Sequence, residues 1–72
     1  METQPIKDEK ELGARIRARR KELELTQGEL ADVSGVTLRF VSELERGKTT
    51  AQYSGIQRVL AALGLDLHLE PR

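Results

Sequence analysis

The stretch TQGELADVSGVTLRFVSELERGK, residues 26–48, decides the fold. Thr26 and Glu29 stand three apart at its start. That spacing is a capping box, in which the Thr26 hydroxyl and the Glu29 carboxylate each take an orphan amide at a helix start. Leu30, Ala31 and Val33 turn that helix partly inward, and Gly35 stops it, most simply in the left-handed conformation. Thr37 caps a second helix that runs to Arg46, with Gly47 just past its end. Val41 and Leu44 form its apolar face, and Val36 packs where the chain enters it. Glu45, four residues after Val41, lies on the edge of that face. Gly28 looks out of place, because glycine inside a helix costs about 1 kcal/mol against alanine.

Working outward, an earlier helix begins near Glu9 and runs to about Leu23, with acids at its positive N-terminus. Leu12, Ile16 and Leu23 define its apolar stripe. Position 20 completes the stripe at i+4 and holds Arg20, and a charge on a buried stripe calls for a partner. Residues 48–54, KTTAQYS, read as a loop. Ser54 and Gln57 form a second capping box, opening a helix with Ile56, Val59, Leu60 and Leu63 inward and Gly64 at its end. The period then changes. Leu65, Leu67 and Leu69 alternate with Asp66, His68 and Glu70 before Pro71, the pattern of a strand with one apolar face. The expected class is all-α: four helices over residues 9–64, a flexible tail at 1–8 and one strand at 65–70.

Composition narrows the function. Seventy-two residues make one domain with a small core, for which a second copy is the remaining staple. The absence of cysteine removes a disulfide framework, and a lone His with no ligand spacing argues against a metal site. No nucleophile, base and acid pair converge, so the chain reads as no enzyme, with no catalytic residue and no cofactor. No stretch suits a signal peptide or a membrane span, which predicts a cytoplasmic protein without a membrane partner. His68 falls on the polar side of the strand, facing solvent. The charges balance, with 12 basic and 12 acidic residues, but a binding face depends on local charge. ARIRARRK, residues 14–21, carries five cations and no acid. On its own that run also reads as an ordinary solvated helix face.

Two short helices about a glycine fit both a helix-turn-helix and an ordinary αα-corner of a small bundle. The residues go further. Leu25-Thr26-Gln27, Glu29-Leu30-Ala31, Gly35-Val36-Thr37, Val41-Ser42, Leu44-Glu45-Arg46-Gly47 and the later Ala62-Leu63-Gly64-Leu65 stand together in register. In this the chain resembles the lambda-repressor-like (Cro and XRE) helix-turn-helix family over roughly residues 10–65. The resemblance implies that the third helix is a recognition helix lying in the major groove of double-stranded DNA. It places Thr37, Leu38, Arg39, Ser42 and Glu43 against base edges. Arg39 suits guanine O6 and N7, and Leu38 departs from the polar residue common there and offers only apolar contact. Glu43 accepts from a cytosine amine, excludes wrong sequences or is simply a solvated acid, three readings the residues leave open. Gln27, Thr26, Arg17, Lys48 and Thr49 become phosphate contacts, which set register rather than sequence. The resemblance also pairs Arg20 with Glu45 as a partly buried ion pair locking the first helix to the recognition helix.

A lone strand cannot satisfy its own backbone, so Leu65 to Glu70 is expected to pair antiparallel with the same strand of a second copy. Leu65, Leu67 and Leu69 from both chains would then close an isologous homodimer. That sets two recognition helices about 34 Å apart on a palindrome. A helix-turn-helix followed by LAALGLDLHLEPR resembles the HipB-like antitoxins of bacterial toxin–antitoxin operons. This implies an autoregulating repressor that also binds a HipA-type kinase toxin. A stand-alone or phage-type regulator, and a protein-interaction module on the same scaffold, are the alternatives.

Overall fold

A computed structural model describes residues 9–48 and 52–65. They form four helices: α1 (Glu9–Glu22), α2 (Gln27–Ser34), α3 (Leu38–Glu45) and α4 (Tyr53–Ala62). Glu9 and Glu11 lie in the first turn of α1 and Arg19, Arg20 and Lys21 in its last, as the helix dipole favours, although Glu22 also stands at the C-terminal end. At eight residues each, α2 and α3 are too short to persist alone, so packing holds them. Ile16, Leu30, Val41 and Val59, one from each helix, meet with no exposed surface, and Leu12, Ala31, Leu44, Leu60 and Leu63 surround them. Each large side chain so buried contributes roughly 1.5–3 kcal/mol. α3 packs on both α1 and α2, and α2 packs on α4. α3 is thus held on its inner side by α1 and α2, and Phe40 reaches Gly55 of α4.

The capping box is formed. Thr26 Oγ1 accepts from the Glu29 amide at 3.0 Å, and the Glu29 carboxylate accepts from the Thr26 amide at 2.8 Å. Gly35 takes φ 72°, and the Val36 amide turns back to the Ala31 carbonyl, closing α2 with a sharp corner that a side chain would strain. Thr37 then caps α3 by accepting from the Phe40 amide at 3.0 Å. The end of α1 has the same closing bonds but places Glu24 at φ 58°, an unfavourable conformation for a residue with a Cβ.

Three local expectations are corrected. Leu23 lies just beyond α1 and is exposed, because the turn carries it off the stripe; Leu25 packs against the core instead. Val33 is exposed, since Leu30, Ala31 and Ser34 define the inward arc of α2. The Ser54–Gln57 capping box does not form. The Ile56 amide already bonds the Gln52 carbonyl, so Gln52 is the N-cap and Ser54 sits inside the first turn. The expected tail at 1–8 lies outside the described residues, as does the expected strand from residue 66 onward.

Candidate nucleic-acid interface

The inner edge of α3 is tied down by Glu45. Its Oε2 accepts from Arg20 Nε at 2.6 Å and its Oε1 accepts from Arg20 Nη2 at 3.1 Å, a two-pronged pair. Arg20 Nη1 donates to the Leu25 carbonyl at 2.7 Å, and Gln27 Nε2 donates to Glu45 Oε1 at 3.0 Å. The Arg20 and Glu45 side chains are only 10% and 3% exposed. Arg20 therefore fills its place on the α1 stripe with its charge neutralised. The hydrogen bond to Glu45 raises the Arg20 pKa against the opposing effect of burial. Burial pushes the Glu45 carboxyl up, but the bonds from Arg20 and Gln27 outweigh it and hold it below the ordinary carboxylate range.

Gly13 sets how closely α1 approaches this edge. A Cβ there would overlap the Leu44 carbonyl oxygen and come within 2.7 Å of the Glu45 carbonyl oxygen. Backbone oxygens have little room to give, so only glycine allows α1 and α3 to meet where Arg20 can reach Glu45. Arg19 makes a second tie. Its Nε donates to the Leu63 carbonyl at 3.0 Å, capping the end of α4, and its Nη1 meets Glu22 at 3.0 Å. Sequence reading missed both residues, because each acts through a partner more than thirty positions away. The one available signal for Gly13 is a glycine beside Leu12 on an otherwise good helix.

The outer side of α3 is open. Thr37 and Arg39 are exposed, Leu38 is 54% exposed, and Ser42 and Glu43 are half-buried. Arg39 Nε donates to Glu43 Oε2 at 3.0 Å within the helix. That bond, helped by the nearby charges of Lys48 and Arg46, holds the Glu43 carboxyl below its ordinary range. Beside α3 runs an open cleft of about 650 Å³ lined by Arg17, Arg20, Thr26, Gln27, Gly28, Ser42, Glu45 and Arg46. The structure thus brings Arg17, Thr26 and Gln27 to one place. The α2 N-terminus lines the same cleft through Thr26, Gln27 and Gly28, and the positive end of a helix dipole favours an anion. Gly28 lines this cleft, and a Cβ there would make only ordinary contact with Thr26 Oγ1, at 3.9 Å, so the structure does not require glycine at this position.

The geometry also refines individual roles. The Gln27 side-chain amide nitrogen is committed to Glu45, so its side chain braces α3 where Gln27 lines the cleft. The Thr26 backbone amide is committed to Glu29, which leaves the hydroxyl proton as its available donor. Lys48 is exposed and closes α3 through its own amide to the Glu43 carbonyl at 3.0 Å. Arg46 joins the cleft rim, though the sequence reading used it only to end the helix. Leu65 is half-buried against the core. Thr49, Leu67 and Leu69 lie outside the described residues. Among the described residues no His, Cys, Asp or Glu group is placed to hold a metal, and no helix is long and apolar enough to cross a membrane.

A compact helical frame that grips one short helix from behind, with an anion-favouring cleft alongside, defines a helix-turn-helix domain. The Helix-turn-helix family model matches residues 16–69, and the chain belongs to this Cro/XRE-type family of DNA-binding transcriptional regulators. It is 47% identical over 64 residues to the HTH-type transcriptional regulator y4mF of Sinorhizobium fredii, covering 89% of this chain and 84% of that one. Its fold is similar to the restriction-modification controller protein C.AhdI from Aeromonas hydrophila, with TM-score 0.74, 30% identity, and 82% and 86% of the two chains covered. It is also similar in fold to a chain of a HipA-HipB-O2-O3 complex, with TM-score 0.85 over 96% of this chain and 97% of that one, at 23% identity.

Proposed function

We propose that the chain is a homodimeric repressor that binds a palindromic operator, serves as the antitoxin of a toxin–antitoxin operon and represses that operon. The observation that carries the reading is the presentation of α3. Its inner edge is bonded to α1 and α2 through Glu45, while its outer side carries Thr37, Leu38 and Arg39 to the surface beside the Arg17–Arg46 cleft. In this reading Thr37, Leu38, Arg39 and Ser42 meet base edges in the major groove. Arg17, Thr26, the Gln27 backbone, Lys48 and Thr49 meet phosphates. Residues 65–70 pair across the dimer through Leu65, Leu67 and Leu69, so residues 9–64 are the DNA-binding domain. The protein acts in the cytoplasm, on DNA, and carries out no catalysis.

The fold likeness to the HipB complex, which spans nearly the whole chain, supports a HipA-type kinase toxin as the second partner. The likeness to the controller protein C.AhdI, at higher identity, favours a second reading in which the regulator has no toxin partner. The test is a gel shift with the DNA upstream of the chain's own reading frame, at rising salt. A shift that weakens as a power of the salt concentration supports phosphate contacts; no preference over unrelated DNA overturns operator binding. Co-purification with a kinase-like protein encoded beside it separates the two readings.

A further inference from the structure

The outer side of α3 holds a carboxylate where DNA would bring more negative charge. Glu43 is half-buried, and its Oε2 lies 3.0 Å from Arg39 Nε. The Arg39 side chain is 86% exposed, and among the described residues nothing else engages it. The bond therefore uses the inner nitrogen of the guanidinium and leaves the two terminal Nη groups without a partner among the described residues. Two adjacent guanidinium donors are what a guanine takes through O6 and N7, and the Nη pair is the one left for it here.

We propose that Glu43 is a positioning residue for Arg39, and that it holds the arginine extended with both Nη groups presented to one guanine rather than touching a base itself. This rests on the DNA-reading role above and assigns a specificity-determining part to Glu43. A free arginine samples many rotamers and must lose them on binding. Arg39, bonded at Nε, begins near its bound shape. In water so exposed a pair is weak, but a duplex laid over α3 excludes the solvent that screens it. The carboxylate also lowers the attraction of this helix for phosphate in general, so the gain is in discrimination and not in affinity.

The test uses the full chain and a pool of DNA duplexes with a randomised 20-base-pair centre, with the bound fraction sequenced for wild type, Arg39→Ala, Glu43→Ala and Glu43→Gln. Melting curves check that each variant is folded. Wild type is expected to select one G·C pair in each half-site. Arg39→Ala should lose that preference by about tenfold or more. Glu43→Ala should relax the same pair by several-fold and leave the other positions unchanged, and Glu43→Gln, which keeps an accepting oxygen, should fall between. If Glu43→Ala alters a different pair, Glu43 reads a base and the proposal is overturned. It is equally overturned if Glu43→Ala only tightens binding to all sequences, or changes nothing. A wild-type pool without any preference overturns the DNA-reading role itself, and the part given to Glu43 with it.

Discussion

Among the described residues, two arginine–glutamate pairs involve α3, and they share a chemistry and differ in setting. Arg20 and Glu45 join two helices, are 10% and 3% exposed, and engage two further partners, Leu25 and Gln27. Arg39 and Glu43 lie one turn apart on one helix and are 86% and 24% exposed. Water decides what each can do. A pair stripped of solvent cannot lose one member without stranding the other, so it holds the fold. A pair left in solvent contributes little to the fold and remains free to meet a partner. Both settings occur on one eight-residue helix, with the fold's demand on its inner edge and the partner's on its outer side.

The largest effect should follow from breaking the inner pair. Arg20→Ala leaves Glu45 buried without its cation and should cost about 3–5 kcal/mol. For a domain of this size that lowers the melting temperature by more than about 12 °C, measurable by circular dichroism. An unchanged melt would remove the distinction between the pairs. Gly13→Ala should come next, at about 1–3 kcal/mol or more from overpacking against the α3 carbonyls. It forces α1 and α3 apart and so stretches the inner pair while leaving Arg39 and Glu43 untouched.

Acid separates the pairs further. The Glu45 carboxyl is held below its ordinary 4.5, so its contribution is complete above that value and fades as pH falls through the lowered folded value. The stability gap between wild type and Glu45→Gln, followed by urea unfolding, should therefore be widest near neutrality and narrow toward pH 3. Glu43→Gln should open no comparable gap at any pH, although its carboxyl is also lowered, because solvent screens it. The smallest effect belongs to Arg39→Ala. Its melt should match wild type, and its loss should be visible only in DNA selection.

What could be read from the sequence follows the range of each interaction. The Thr26–Glu29 box and the Gly35 corner are local, and a few adjacent residues specify them. Arg20 and Glu45 stand out in the sequence because each is a charge on an otherwise apolar helix edge, and the family resemblance supplies their pairing. Gly13 and Arg19 act through the crossing of α1 with α3 and α4, and no local pattern encodes that crossing. Ser54 shows the converse: its spacing to Gln57 satisfies the local rule, but the helix begins earlier and the box goes unused. The outer side of α3 was legible as a surface. The bond that takes Arg39 to Glu43 needed side-chain geometry, since an i,i+4 spacing permits that pair without requiring it.

The contrast between the pairs is tested most directly by two double-mutant cycles under one set of urea-unfolding conditions, Arg20/Glu45 and Arg39/Glu43, each residue changed to alanine singly and together. The buried pair should show a coupling of at least about 1.5 kcal/mol, and the exposed pair a coupling indistinguishable from zero. Equal couplings, or a larger one for Arg39 and Glu43, would contradict the assignment of the inner pair to the fold and the outer pair to the partner.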